Sequence, residues 1–255
     1  MVEANAVYVI VMREFKKFIR ERSRLFSTIA RPLLWLFLVG GGMSRLVPRG
    51  DSVSYMQFIF PGILGMTILF SSIFSSISII WDKEFGFMKE ILVAPVSRFS
   101  VVIGKAISGM ILSTTQAAIV LVLFPFLGLK LGIFQIIQII IFCAVLSFAI
   151  AAFGILLATF YESYESFSVI MNFIVMPMFF LSGAMYPVKL LPDILKIFAK
   201  INPLTYGIDA LKNVIFPFET GNMSPDFPLL TDVSVIIVSA IIFVLIAGKF
   251  FERKG

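Results

Sequence analysis

Few residues in this chain are of a type and spacing that could do chemistry. It contains no histidine, so the commonest general base and the usual imidazole metal ligand are both missing, which excludes serine-histidine hydrolysis and histidine-based zinc chemistry. Its one cysteine, Cys143, sits in an apolar run; no intrachain disulfide is possible, and a small lipid-buried filler is the simplest role. Gly104-Lys105 and Gly248-Lys249 are followed by Ala and Phe and lack the upstream glycine of a phosphate-binding loop. Gly40-Gly41-Gly42 lies in an apolar stretch, where it reads as close helix packing. The acids placed for a carboxylate or metal cluster at one membrane face are Asp82, Glu84, Glu162 and Glu165. The most informative stretch is Trp81 to Arg98, WDKEFGFMKEILVAPVSR. Asp82, Lys83, Glu84, Lys89, Glu90 and Arg98 require water, while Phe85, Met88, Ile91 and Leu92 recur at helical spacing and Pro95 closes the pattern. A short amphipathic helix outside the bilayer needs something to pack against.

The elements that must carry this loop are membrane spans. The chain has 255 residues, 59% hydrophobic and 14% charged, with a mean hydropathy of +1.02. These values exclude both an ordinary soluble domain and disorder. The pattern predicts an all-α integral membrane protein in one transmembrane domain. Residues 11–26 form an amphipathic interfacial helix, with Phe15, Phe18, Lys16, Lys17 and Arg20 among its membrane-facing and basic positions. The preceding apolar stretch is too short, and too closely followed by charge, for a signal peptide. Six spans are expected over 25–46, 55–81, 101–127, 133–160, 166–188 and 229–251, with Arg31 and Arg45 snorkelling from the ends of the first.

Basic residues orient the spans. Seven Lys and Arg precede Pro32, four lie from Lys83 to Lys105 and three at the C-terminus, against seven on the other side. Both termini and the 82–98 loop therefore face the cytoplasm, and the net charge of +6 reflects that bias, not a nucleic-acid partner. Residues 190–216 are too apolar for an exposed loop and too broken by proline for a span. Two short helices, about Pro192 to Lys200 and Leu204 to Ile215, fit an outer-side re-entrant segment, with a surface cap as the alternative. Asp209 and Lys212 are spaced to pair at i, i+3 near an outer gate, although solvent-facing charges are the simpler reading.

The order ARPLLW, then E-x-G-x-x-x-E-x-L-x-x-x-P-V-S-R between two spans, then SGAMYP and INPLTYGIDALK before the last, resembles the membrane subunits of type-2 ABC exporters. The likeness is greatest to those grouped with drug-resistance and lipid or polysaccharide export, and it covers nearly the whole chain. It implies a coupling helix within Glu84–Arg98, using Glu84, Phe85, Gly86, Met88, Lys89, Glu90, Leu92, Pro95 and Arg98, gripped by a cytoplasmic ATPase subunit present in two copies. Such a helix offers apolar anchors for affinity and charges for orientation; Gly86 would let it start close against a neighbour. The resemblance also implies a second membrane subunit, as a homodimer or with a similar chain, in a prokaryotic cytoplasmic membrane. ATP and magnesium would bind the partner, and no cofactor this chain. Ser72 and Ser76, with Met171, Met178 and Phe179, are candidates for a substrate path; helix packing explains them equally well. The absence of charge between Ser52 and Trp81 and between Leu131 and Tyr161 argues against an ion pathway and for a substrate that travels partly in lipid. The remaining classes are a secondary transporter or channel, for which no internal repeat speaks, and a membrane-embedded transferase.

Overall fold

The computed structural model describes residues 3–20, 30–44, 53–86, 96–217 and 224–253. Every regular element among the described residues is helical: α1 (Ala4–Arg20), α2 (Ala30–Met43), α3 (Tyr55–Glu84), α4 (Arg98–Leu121), α5 (Ile133–Phe160), α6 (Tyr164–Phe180), α7 (Asp193–Ile201), α8 (Pro203–Ile215) and α9 (Leu229–Arg253). Four of them, α3, α4, α5 and α9, are long and apolar enough to cross a membrane; α2 and α6 are shorter apolar helices.

The bundle is built around α3. Ser54 starts it with a capping box, its hydroxyl accepting from the Gln57 amide while the Gln57 side chain accepts from the Ser54 amide. At 1.5 Å per residue its 30 residues reach about 45 Å, against a hydrocarbon core of roughly 30 Å, so at least one end stands clear of the apolar layer. Its sequence is apolar all round, as a fully surrounded helix must be, and α4, α5 and α8 pack on it. By contrast α9 leaves most of its apolar surface outside, with Leu230, Val238, Ile241 and Leu245 exposed, as a lipid-facing helix does. The serines of α3 serve the inner contacts. Ser72 donates to Ser113 (2.9 Å) and to the Ser147 carbonyl (3.3 Å), and Ser76 returns to the Ile73 carbonyl of its own helix. Both are buried, and Ser76 lies against Gly154 of α5.

Several boundaries differ from the sequence expectation. The first helix begins at Ala4, so the short apolar stretch before Arg13 belongs to it; residues 21–26 of the expected interfacial helix lie outside the described residues. α4 ends at Leu121 instead of residue 127, because Pro125 has no amide to continue it, and a 3-10 turn (Phe124–Leu127) follows. α6 ends at Phe180, and residues 181–186 form turns. Both short helices contain a π-helical stretch, Trp35–Gly40 in α2 and Met171–Val175 in α6, the latter just before Pro177. Cys143 is buried between helices, not in lipid. The two outer helices appear nearly where the prolines predicted them: α8 is buried among α3, α5 and α9, whereas α7 exposes Ile194, Ile197, Phe198 and Ile201.

Candidate functional site

Charge concentrates at the end of the bundle where α3 runs out into the 82–98 loop and α4 begins. Lys105 stands two turns into α4, and its ammonium donates to Glu14 Oε1 (2.7 Å), Asp82 Oδ2 (2.7 Å) and Ser78 Oγ (2.9 Å). Arg13 donates to the other oxygen of Asp82 at 2.8 Å. Lys105, Glu14 and Asp82 are all buried; only Arg13, with 51% of its side chain exposed, opens the group to solvent. Two cations and two carboxylates thus join three helices, with every donor of the Lys105 ammonium filled. Such a group is strongly destabilised by loss of one member, because the opposite charge is then left buried.

The surrounding packing brings α1 to that position. Gly104 lies beneath Ile10, whose side-chain carbons would stand 3.2 Å from a Cβ placed there, so a side chain at 104 would crowd α1 by a few tenths of an ångström. Phe18 is buried on the same face of α1, one turn beyond Glu14. The Glu3 amide donates to Ser100 Oγ (2.8 Å), next to the Ser97 cap of α4. The expected interfacial helix is therefore only partly so: Lys16, Lys17 and Arg20 are exposed and Phe15 half-buried, but Phe18 and Glu14 face protein.

A second tie runs from α3 to the end of α5. Lys83 donates to the carbonyls of Ala158 (2.9 Å), Thr159 (3.4 Å) and Tyr161 (3.2 Å), where the last turn leaves carbonyls unpaired and the helix dipole favours a cation. α3 then stops. Phe85 caps it, and Gly86 takes φ +80°, a left-handed conformation that costs other residues about 1 kcal/mol or more. Nothing lies within 4 Å of a Cβ built on Gly86, so its role is to end α3, not to admit a close neighbour. Glu84 and Phe85 are exposed, Phe85 at 70%. Arg98, at the start of α4, is half-buried. Met88, Lys89, Glu90, Leu92 and Pro95 lie outside the described residues. Glu162 and Glu165 are exposed, and the oxygens of Asp82 are taken by Arg13 and Lys105, so the four acids do not assemble into one site.

The substrate-path candidates do not converge. Ser72 and Ser76 are buried between α3, α4 and α5, whereas Phe179 packs edge-on against Trp35 (5.9 Å) on the other flank of α3. Met178 is half-buried beside it, and its carbonyl accepts from Asn202 (2.7 Å); the Met171 side chain lies outside what is described. At the outer end Asp209 and Lys212 neither face solvent nor pair with each other: both are buried. Asp209 accepts from the amides of Asp226 and Phe227 (2.7–3.0 Å). Lys212 donates to the Gly183 carbonyl (2.7 Å) and lies 4.5 Å from the Phe58 ring. They hold down the turns on either side of α7 and α8.

Comparison with known proteins decides the family. A family model described as "ABC-2 type transporter" matches residues 5–216, from α1 through the end of α8. This chain belongs to the ABC-2 type transporter family. The putative transport permease ycf38 of Cyanophora paradoxa is 35% identical over 210 residues, 81% of this chain and 72% of that one. The inner membrane transport permease YadH of Escherichia coli K12 is 25% identical over 225 residues, 86% and 84% of the two chains. Nodulation protein J of Rhizobium meliloti is 26% identical over 196 residues, 75% and 73%. The ABC-2 chain is thus a transmembrane transport protein. Its α1, α3 and α4, joined by the Lys105 group, all lie inside the matched region.

The Lys105 group was not foreseen as a site. Lys105 entered the sequence reading as an inner-side charge and in a pair that fails as a phosphate-binding loop, while Glu14 falls on the charged face of the expected interfacial helix. A signal was there: a lysine two turns inside an otherwise apolar helix needs an anionic partner, and Asp82 at the end of the preceding span is among the three nearest acids in sequence, with Glu84 and Glu90.

Proposed function

We propose that this ABC-2 chain is the permease of an ATP-driven exporter, moving a hydrophobic or amphipathic substrate outward. Two copies of a cytoplasmic ATPase subunit, carrying ATP and magnesium, drive a pair of membrane subunits by pushing on residues 82–98, and the permease itself catalyses no bond chemistry. The chain sits in a prokaryotic inner membrane with both termini in the cytoplasm. Six passages are made by α2, α3, α4, α5, α6 and α9, while α7 and α8 dip into the outer leaflet.

The observation that carries this reading is the Lys105 group. It ties α1 to α3 and α4 at the two ends from which the 82–98 loop emerges, so a force on the loop moves three helices together instead of bending one. The exposed Phe85 supports it too: an aromatic at 70% exposure beside Glu84, at the mouth of a water-facing loop, is suited to a groove on another protein. The apolar exposed face of α7 beside the buried α8 supports the re-entrant arrangement, since such a face is at ease in lipid.

The test is co-purification with the ATPase subunit. Phe85→Asp, alone and with Leu92→Asp, should abolish capture of the partner while the permease still inserts and keeps its thermal stability. Capture at the wild-type level would remove this loop from the coupling surface.

A further inference from the structure

Three aromatic residues of α3, Phe70, Phe74 and Trp81, are spaced four and seven apart and so share one stripe. Each lies close to a cation. The Lys17 ammonium of α1 is 4.4 Å from the centre of the Trp81 ring. The Arg31 guanidinium of α2 is 5.2 Å from that of Phe70 and 5.9 Å from that of Phe74. By helix rise, Phe74 and Phe70 lie about 12 and 18 Å outward of Asp82 along α3. Arg31 is thus held beside these rings, well outward of the Lys105 group along α3, and does not reach back to join it. The rest of α2 agrees with this position, because Gly40 lies against Ile59 and Met56 in the outer part of α3.

Arg31 differs from the cations at either end of the bundle. Arg13, Lys83, Lys105 and Lys212 each reach oxygen. Arg31 is exposed, and no carboxylate among the described residues lies within ion-pair distance of it. The rings occupy the face of the guanidinium, but its five N–H donors point from its edge, and beside an apolar surface those donors call for an acceptor. Beside it the surface is apolar: Leu34, Phe37 and Leu38 of α2 and Phe173 of α6 are all exposed.

We propose that Arg31 is a binding residue for a bilayer-resident amphiphile with an anionic headgroup, such as a phosphate, which Lys17 over Trp81 first meets at the inner surface. A planar fork of donors matches two oxygens of a phosphate, and the apolar flanks of α2 and α6 take the tails. This substrate class rests on the exporter reading given above. The aromatic rings against Arg31 and the apolar exposed residues of α2 and α6 favour an amphiphile over a soluble anion.

The experiment uses the full chain in bilayers with Trp81→Phe, so that Trp35, near Arg31, is the reporter and the Lys17 contact over Trp81 adds no signal. Trp35 is one turn beyond Arg31, Trp81 lies under Lys17, and the chain has no others. Quenching is titrated with brominated phosphatidylglycerol or brominated phosphatidylcholine. With Arg31 intact, half-quenching should come at roughly tenfold lower mole fraction of the anionic lipid, the low end expected of one charge-assisted contact. Arg31→Gln should abolish that preference, Arg31→Lys should keep part of it, and Lys196→Gln, on the outer helix α7, should leave it unchanged. Equal quenching by the two lipids, or a preference that survives Arg31→Gln, would overturn the proposal. So would full competition by inorganic phosphate, which assigns the site to a soluble anion. A change in oligomeric state on Arg31→Gln with lipid preference intact would make Arg31 a contact to a second copy and overturn it too. The assay contains neither ATP nor the ATPase, so its failure leaves the exporter reading standing. Loss of the partner on Phe85→Asp is likewise read independently of the lipid titration.

Discussion

Replacing Lys105 with Met tests the inner-end group most directly. The methionine fills much of the lysine stem but removes the ammonium, leaving Glu14 and Asp82 as buried carboxylates with one cation, Arg13, in place of two. Breaking a buried ion pair in this way costs about 3–5 kcal/mol. The lower end applies here, about 3 kcal/mol, because Arg13 still holds Asp82 and is itself half in water, so its charge is partly screened. For a chain of this size each kcal/mol lowers the midpoint by about 2–4 °C, giving a fall of roughly 6–12 °C. Cys143, the single and buried cysteine, supplies the readout: a thiol-reactive fluorophore labels it only as the bundle opens. The decisive control adds Glu14→Gln and Asp82→Asn to Lys105→Met. With both charges gone, most of the loss should be recovered, since a neutral group of similar shape carries no buried charge. An unchanged midpoint in the single variant, or a triple variant as unstable as the single, would refute the account of this group as a charge-balanced joint.

Three further outcomes follow from the same geometry. Lys83→Met removes the cation from the end of α5 and should cost about 1–2 kcal/mol, seen as faster proteolysis of the chain around Glu162. Gly86→Ala meets no steric obstacle but must hold φ +80°; it should lower stability by about 1 kcal/mol and, by changing how α3 ends, weaken ATPase capture more than it lowers the midpoint. Asp209→Ala strips the acceptor from the amides of Asp226 and Phe227 and should cost about 2 kcal/mol, with hydrogen exchange rising first at those two amides.

The helical class and the main spans were legible because their signals are local. Uninterrupted apolar runs gave α3, α5 and α9, and the prolines at 192 and 203 marked the two outer helices within a residue or two. The end of α4 was missed because the residues from Val122 to Leu127 are as apolar as the span before them, so hydropathy carried the reading past the point where Pro125 breaks the hydrogen-bond ladder. The partnerships were not legible. Glu14 and Lys105 are 91 positions apart, and a polar face looks the same whether it meets water or another charge. The same limit misplaced Asp209 and Lys212: their charge suggested solvent-facing positions and their spacing a mutual pair, yet each reaches a loop whose position only the fold determines. For the serines of α3 the sequence left packing and path equally open, and their neighbours Gly154 and Ser113 on other helices were needed to find them between the packed helices of one chain.

The π-helical stretches in α2 and α6 carry a mechanical consequence. A π turn holds one more residue than an α turn, so converting it to α rotates everything beyond it by about 100° and shifts it by about 1.5 Å. These are the two shorter apolar helices, and they touch each other through Trp35, at the start of one π stretch, and Phe179, four residues past the end of the other. A one-residue conversion in either helix would therefore have to be taken up at the edge-to-face contact of Trp35 with Phe179. Advancing one by that step obliges the other to turn or to let go.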